Sequence, residues 1–376
     1  MEGGRELAWN HLGAWRVSDD RDLKMLSMSR PLLESAIAKQ VRLLSNVRFC
    51  EGVRVVGFET THSQRVTGVR VAAAERNDFE MPADLVVDAS GRGSATPRWL
   101  EALGLEAPKT EHISARISYA TCAFSRSRES PAWRGLVIAG APARRGAVIL
   151  PIEGDRWLVS LAGYFDEQMP ASHAEFRAFA RSLPTAALSQ ALDGEQPLSD
   201  VVQHSFPGSQ RRRYDRLKSV PDGLLVLGDA LCSFNPVYGQ GMTVSALEAE
   251  ELSAALSLIK AKGLKGPELA RRWLARTRPI IDAAWDGVSI EDLRFPELRA
   301  RRPLRLRAAQ WYVGRLHRAT YRDQHVTNQF YRVLSFMDPP SKLFAPRIAG
   351  RVLLGRQTSG QRASTERLEG ASGLST

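Results

Sequence analysis

Two acidic residues at predicted strand ends have the types and positions that suit a bound, phosphate-linked cofactor. Asp229 follows Gly228 directly after the apolar run at residues 224–227, which reads as a buried strand. An acid at the carboxyl end of a strand can accept hydrogen bonds from ribose or ribityl hydroxyl groups. Asp88 ends a second apolar run, and the small residues Ser90 and Gly91 then let the chain turn closely.

A glycine-rich bend comes shortly after Asp229. Pro236 fixes the loop, while Gly239 and Gly241 flank Gln240 and let backbone N–H groups approach a flat ring. A helix is predicted from about Met242, and its positive end would favour electron density on such a ring. The alternative is a glycine-rich strand, loop and helix that hold no ligand.

The residues at this bend resemble the second FAD fingerprint of the flavin-dependent monooxygenases of the para-hydroxybenzoate hydroxylase-like superfamily. The matching string is GDALCSFNPVYGQGM, residues 228–242. The resemblance implies that Asp229 contacts the ribityl or pyrophosphate region of FAD. It also implies that the backbone of residues 236–242 lies along the isoalloxazine ring.

The same resemblance implies a reaction. NAD(P)H reduces FAD, O2 adds at flavin C4a, and the hydroperoxide hydroxylates or epoxidises a hydrophobic or aromatic small molecule. No catalytic acid or base is assigned, because the cofactor carries the chemistry. One alternative is a flavin reductase of the geranylgeranyl reductase type, and another is a non-catalytic or split fragment of the same fold.

Three other segments resemble cofactor motifs of this family. Arg30, early in a helix predicted at residues 29–44, matches an arginine near the ribityl chain. The string DASGRGS resembles the family's Asp-Gly motif, which places Asp88 and Gly91 by the pyrophosphate. Val55 matches a strand residue that contacts adenine through its backbone. A surface arginine, a strand–turn–helix cap and a core valine are the respective alternatives.

The first FAD fingerprint is not found. The family begins with a strand, a G-x-G-x-x-G turn and a helix that bind the ADP part of FAD, and this chain contains no G-x-G-x-x-G. Residues 1–20 look loop-like, with no early strand. The expectation is a missing N-terminal βαβ unit, through truncation, a misassigned start or a split protein completed by a separate N-terminal fragment.

The pattern of strand-like and helical segments along the chain predicts an α/β fold (α+β overall). It comprises an incomplete FAD/NAD(P)-binding Rossmann-like domain, an inserted β-sheet substrate domain and a helical C-terminal region. Tyr119, Tyr164 and His204 are the candidate substrate contacts. The predicted boundaries are 1–107 and 209–290 for the two parts of the FAD-binding domain, 108–208 for the substrate domain, 291–356 for the helical region and 357–376 for a disordered tail.

Composition indicates a cytoplasmic globular protein. Apolar residues make up 43% of the chain, and its three cysteines show no metal or disulfide spacing. Of the net charge of +11, +8 comes from residues 294–322, which hold nine arginines and one glutamate. The stretch from Arg301 to Arg322 is a candidate contact for a membrane surface, an acidic partner or a carrier, the simpler alternative being a solvated basic face. Nucleic-acid binding is not expected.

Overall fold

The computed structural model describes residues 1–18, 20, 22–61, 65–73, 76–127, 131–140, 143–262 and 266–355. The chain forms two compact units, both discontinuous in sequence. The first comprises Met1–Lys39, Ala115–Pro207 and Ile290–Thr376, and the second comprises Gln40–Ser114 and Gly208–Ser289. The functional boundaries predicted from sequence stay a prediction, and the predicted tail at residues 357–376 lies outside the described residues.

The described residues form a mixed α/β fold, which confirms the predicted class. In chain order its helices and strands are α1 Gly3–Glu6, β1 Leu7–His11, β2 Ala14–Trp15, α2 Arg30–Arg42, β3 Val53–Thr60, β4 Val66–Ala73, β5 Arg76–Pro82, β6 Val86–Asp88, α3 Thr96–Ala102, β7 Thr110–Ile113, β8 Ile117–Ser125, β9 Gly135–Ala139, β10 Arg145–Ile152, β11 Arg156–Tyr164, α4 His173–Arg181, α5 Ala187–Ala191, β12 Val202–Phe206, β13 Ser209–Arg212, β14 Leu224–Val226, β15 Cys232–Ser233, α6 Gly241–Lys262, α7 Gly266–Asp292, α8 Leu304–Thr320, α9 Gln324–Leu334 and α10 Pro346–Leu354.

The first unit is built on a seven-stranded sheet in the order β12–β8–β11–β10–β9–β1–β2. All neighbours are antiparallel except β1 and β9. Phe124 and Trp157 of the sheet and Phe176 of α4 lie in one buried apolar cluster. A capping box at Ser172 and Glu175 starts α4. The apolar runs at residues 113–124, 135–139, 147–152 and 157–162 predict strands. This sheet contains all four, although the first begins at Ile117.

The expectation of no early strand is wrong. Strand β1 pairs in parallel with β9, from Leu7 opposite Gly135 to His11 opposite Ala139. Its buried positions include Asn10 and His11, which are 1% and 6% exposed. Because polar side chains occupy the positions that face inward, the run lacks the apolar alternation by which a strand is recognised.

The second unit holds three small sheets, ordered β3–β4–β5, β15–β13–β7 and β14–β6. The sequence pattern at residues 47–59 and 66–73 predicts a pair of strands, and β3 and β4 confirm it, with β3 starting at Val53. The long helices α6 and α7 pack together around Trp273, whose indole Nε1 donates to the carbonyl of Glu248 at 3.5 Å. Helix α6 starts at Gly241, one residue before the prediction.

The C-terminal helices α8, α9 and α10 share a small core of their own. It contains Tyr312, Leu316, Val326, Ile348 and Val352. The sequence predicts helices at residues 304–320 and 343–354. Helix α8 confirms the first, whereas α10 begins three residues later than the second prediction, at Pro346. In the part of the chain that the structure describes, no helix has both the length and the hydropathy needed to span a bilayer.

Candidate functional site

The two predicted acids lie at the same end of neighbouring parallel strands. In the second unit β14 pairs with β6 so that Val226 stands opposite Asp88. The N–H of Leu227 then donates to the carbonyl of Asp88 at 3.0 Å. The turns that follow, at residues 88–96 and 227–242, therefore start side by side. Together they are called the strand-end site below.

Asp88 organises its own turn. Its Oδ1 accepts from the Ser90 N–H at 2.9 Å and the Ser90 hydroxyl at 2.6 Å, and its Oδ2 accepts from the hydroxyls of Ser94 at 2.5 Å and Thr96 at 2.6 Å. Burial would raise the pKa of Asp88, but these hydrogen bonds lower it overall. The carboxylate thus stays ionised and holds the turn, while Gly91 adopts φ +82° with open space beside its Cα.

Gly228 makes the second turn, and a buried glutamate holds it. Gly228 has φ +61°, a conformation that favours glycine. Its N–H donates to Glu248 Oε2 at 2.5 Å. Burial raises the pKa of Glu248 to about 7, against the effect of this hydrogen bond, and the nearby Asp229 raises it further. Sequence reasoning missed Glu248, although its place four residues after the buried Val244 puts it on the inward face of α6.

The bend at residues 236–242 follows a buried, hydrogen-bonded residue and is itself partly exposed. Asn235 is fully buried, and its N–H donates to Ser209 Oγ at 2.9 Å. By contrast Pro236 and Met242 are exposed, and Gln240 is half-buried. A Cβ added to Gly239 or Gly241 would meet no atom within 4 Å. An open backbone bend that leads into the first turn of the 22-residue helix α6 fits a flat ring carrying negative charge.

An arginine that sequence reasoning missed ties the two turns together. Arg212, on β13, is 8% exposed. Its Nη1 donates to the Ala230 carbonyl and its Nη2 to the Arg92 carbonyl, both at 2.7 Å. The available signal was the run of three arginines at residues 211–213, all of them buried, but a run alone does not show which groups each arginine binds. Asp229 itself is exposed, and its charge acts on Arg92.

Two predicted cofactor residues belong to segments other than these turns. Val55 stands on β3, within the second unit, with 41% of its surface exposed. Arg30 begins α2 in the first unit, where its Nε donates to Glu34 Oε1 at 2.6 Å. The helix predicted at residues 29–44 is confirmed, but none of its residues is buried, and Ile37 is 55% exposed. The roles of Val55 and Arg30 stay predictions.

The candidate substrate contacts separate into two groups. Tyr119 on β8 and His204 on β12 stand directly opposite each other, so their side chains share one face of the sheet. His204 is exposed and Tyr119 half-buried. Tyr164 is 1% exposed and packs on Phe295, with ring centroids 4.6 Å apart, so it belongs to the core.

A buried polar cluster in the first unit was not foreseen. Arg16 lies between the rings of Trp9 and Phe330, at 4.7 and 4.4 Å from their centroids. Its Nη2 is 3.1 Å from His317 Nδ1, and His317 Nε2 is 3.2 Å from Glu291 Oε1. Burial lowers the pKa of His317, so the neutral ring accepts from Arg16 and donates to Glu291.

His11 completes this cluster. Its Nδ1 lies 2.5 Å from the Tyr321 hydroxyl. Burial, followed by the effects of His317 and Arg16, lowers the pKa of His11 to about 3. The cluster therefore combines one cation, one carboxylate and two neutral imidazoles. Its members are far apart in sequence, so no local motif could have revealed it.

Comparison with known families gives a match over most of the chain. The model of a family described as an FAD binding domain matches residues 16–287. Among characterised sequences, Protein Rv3254 of Mycobacterium tuberculosis is 33% identical over 336 residues, which cover 86% of this chain and 70% of that protein.

Solved structures share the fold at low sequence identity. The flavin-dependent brominase Bmp2 has a TM-score of 0.66 at 12% identity, covering 93% of this chain and 80% of its own. A flavoprotein/dehydrogenase from Cytophaga hutchinsonii has a TM-score of 0.65 at 16% identity, covering 94% and 83%. PqsL of Pseudomonas aeruginosa, a probable FAD-dependent monooxygenase, has a TM-score of 0.59 at 17% identity, covering 78% and 80%.

Proposed function

Because the chain belongs to the FAD binding domain family, we propose that it is an FAD-dependent monooxygenase that hydroxylates or epoxidises a hydrophobic or aromatic small molecule. The observation that carries the proposal is the strand-end site. Asp88 and the Gly228–Asp229 turn follow adjacent parallel strands, where open α/β sheets bind their ligands. The open bend at residues 236–242 continues from there into α6.

Each part of the strand-end site has a role in holding the cofactor. Exposed Asp229 would accept hydrogen bonds from ribityl hydroxyls or approach the pyrophosphate, and the turn around Gly91 would offer backbone N–H groups. The flat ring would lie along the bend formed by Pro236, Gly239, Gln240, Gly241 and Met242. The N-terminal end of α6 would stabilise negative charge on that ring. Bound FAD, reduced by NAD(P)H, supplies the electrons that activate O2.

The open edge of β6 supports a further part of the proposal. Among the described residues β6 pairs with β14 alone, and Val87 on it is 38% exposed. Parallel sheets are normally buried and extend over more strands. We propose that a further strand, which carries a G-x-G-x-x-G turn not found in this sequence, pairs with β6.

A reconstitution experiment tests this completion. The chain is mixed with a separately produced strand–turn–helix fragment that carries G-x-G-x-x-G, and amide hydrogen exchange is followed at residues 86–88. Pairing should slow exchange there and turn the mixture yellow with added FAD. Unchanged exchange together with FAD binding by the chain alone would contradict the need for a fragment.

The reaction class has its own test. The FAD-loaded protein is reduced anaerobically with NADH or NADPH and then exposed to air. A monooxygenase should reoxidise rapidly in air and release H2O2 when no substrate is present, because an unused peroxide breaks down. Reduced flavin that air leaves unchanged, but that an isoprenoid alkene reoxidises, would instead indicate a reductase of double bonds.

A further inference from the structure

A cavity of about 230 Å³ lies between the C-terminal helices of the first unit. Four arginines line it together with one aspartate. Arg315 and Arg318 come from α8, Arg322 and Asp323 from the turn before α9, and Arg351 from α10. This set of residues is called the arginine pocket below.

The single acid of the arginine pocket is already fully engaged. Asp323 is 3% exposed, and its Oδ1 accepts from the N–H groups of His325 and Val326 at the start of α9. Its Oδ2 accepts from Arg351 Nη1 at 2.7 Å. The pocket therefore has one negative and four positive side chains, which gives it a net charge of +3.

The other three arginines form no ion pair within the described parts of the chain. Arg315 lies over the ring of Trp311, at 5.1 Å from its centroid, and its Nε is buried without a hydrogen-bond partner. Arg318 and Arg322, which also line the pocket, are exposed. Basic residues in the last turn of a helix also interact with its dipole. That effect explains neither the cavity nor the buried donor of Arg315.

The walls of the pocket are held in place by the helical core. Tyr312 and Leu316 of α8 pack with Val326 of α9 and Val352 of α10. The guanidinium groups are thus presented from a packed three-helix frame. Beside them, Leu353 and Leu354 line the same pocket and are 43% and 72% exposed. The site therefore combines a polycationic centre with an apolar rim.

We propose that the arginine pocket binds the phosphate or diphosphate head group of an amphiphilic molecule. Guanidinium groups form paired hydrogen bonds with phosphate oxygens, and several of them match a multiply charged anion better than a carboxylate. At about 230 Å³ the cavity is smaller than the usual pocket for a whole drug-sized ligand, roughly 300–1,000 Å³. A head group would fit inside while its apolar part lies along Leu353 and Leu354. This inference is independent of flavin binding.

Calorimetric titration of the full chain with sodium pyrophosphate, at fixed ionic strength, tests the site. The double variant Arg318→Gln/Arg322→Gln removes two exposed arginines of the pocket, so folding should survive. Arg305→Gln/Arg307→Gln is the matched control, because it removes the same charge from exposed positions of α8 outside the pocket. The pocket variant should bind at least about tenfold more weakly, and the control should bind as the unchanged chain does.

Vesicle sedimentation identifies the source of the phosphate. Phosphatidylcholine vesicles with and without phosphatidic acid are compared, using the same variants. Retention on the acidic vesicles that pyrophosphate displaces would assign the site to lipid head groups. Pyrophosphate binding without retention would assign it to free phosphorylated molecules. Equal loss in the pocket and control variants, or no saturable pyrophosphate binding, would overturn the proposal.

Discussion

Two glutamates, one in each unit, show opposite behaviour. Glu248, on α6 behind the strand-end site, meets one backbone N–H and no cation among the described residues, and burial raises its pKa to about 7. Burial would also raise the pKa of Glu291, but the hydrogen bond from His317 and the nearby Arg294 cation lower it overall. The partners, and not burial alone, decide which carboxyl stays charged.

This difference separates the site proposed to hold the cofactor from a cluster whose polar groups contact one another. Arg16 and Glu291 contact His317 from its two sides, and Arg294 pairs with Glu291 at 3.2 Å. At the strand-end site Glu248 and Arg212 hold the backbone, while Asp229 is exposed and the glycines of the bend have open space beside them.

The largest effect is expected from Glu291→Ala. It removes the ion-pair partner of Arg294 and the carboxylate that His317 links to the buried Arg16. Breaking a buried pair of this kind typically costs about 3–5 kcal/mol in the free energy of unfolding. Urea unfolding followed by circular dichroism measures the change. Glu268→Ala, which breaks an exposed pair with Arg272 at the other end of α7, is the control and should have little effect. Equal losses in both variants would mean that the cluster is not a matched set.

Arg212→Met should destabilise the chain by about 2–4 kcal/mol, because two buried carbonyl groups lose a charged donor. It should also weaken FAD binding, since the Arg92 and Ala230 turns are no longer tied together. Arg216→Met removes a neighbouring, exposed arginine that pairs with Glu111 and serves as control. A stable Arg212→Met protein with unchanged flavin affinity would refute the bridging role.

The pH dependence of stability should differ between the two regions. The pKa of Glu248 rises from 4.5 to about 7 on folding, so the folded state holds the extra proton within that window. Its contribution to the free energy of unfolding is therefore present below pH 4.5 and lost as the pH rises through 7, on the order of 2 kcal/mol. Glu248→Gln should abolish this loss.

His11 should change the free energy of unfolding with pH in the opposite direction. Its pKa falls from 6.5 to about 3, so the unfolded state binds the extra proton between these values. Its contribution is present above pH 6.5 and is lost as the pH falls through 3. His11→Asn should flatten this acid-side loss, which urea titrations at several pH values would measure. If the free energy of unfolding depended on pH in the same way in Glu248→Gln and His11→Asn, the contrast between the regions would be contradicted.

Local features were predictable from the sequence, and long-range ones were not. The residues from 224 to 242 predicted the strand, the bend and the start of the helix, because each depends on neighbouring residues. Strand β1 was missed because Asn10 and His11 occupy buried positions, and His11 bonds to the distant Tyr321. Arg212 and Glu291 act on partners far along the chain, so only the folded structure reveals them. Glu248 could have been predicted in part, because its spacing of four residues from Val244 places both residues on one face of a helix.

Flavin titration tests the strand-end site most directly. FAD fluorescence is followed as the chain, supplied with the G-x-G-x-x-G fragment, is added. The comparison includes Asp229→Ala and, as control, Asp200→Ala at an exposed position of the other unit. Saturable quenching that weakens about tenfold or more in Asp229→Ala, and not in the control, is expected, since one charged hydrogen bond is lost. Equal FAD affinity in all three proteins would contradict a cofactor site at this turn.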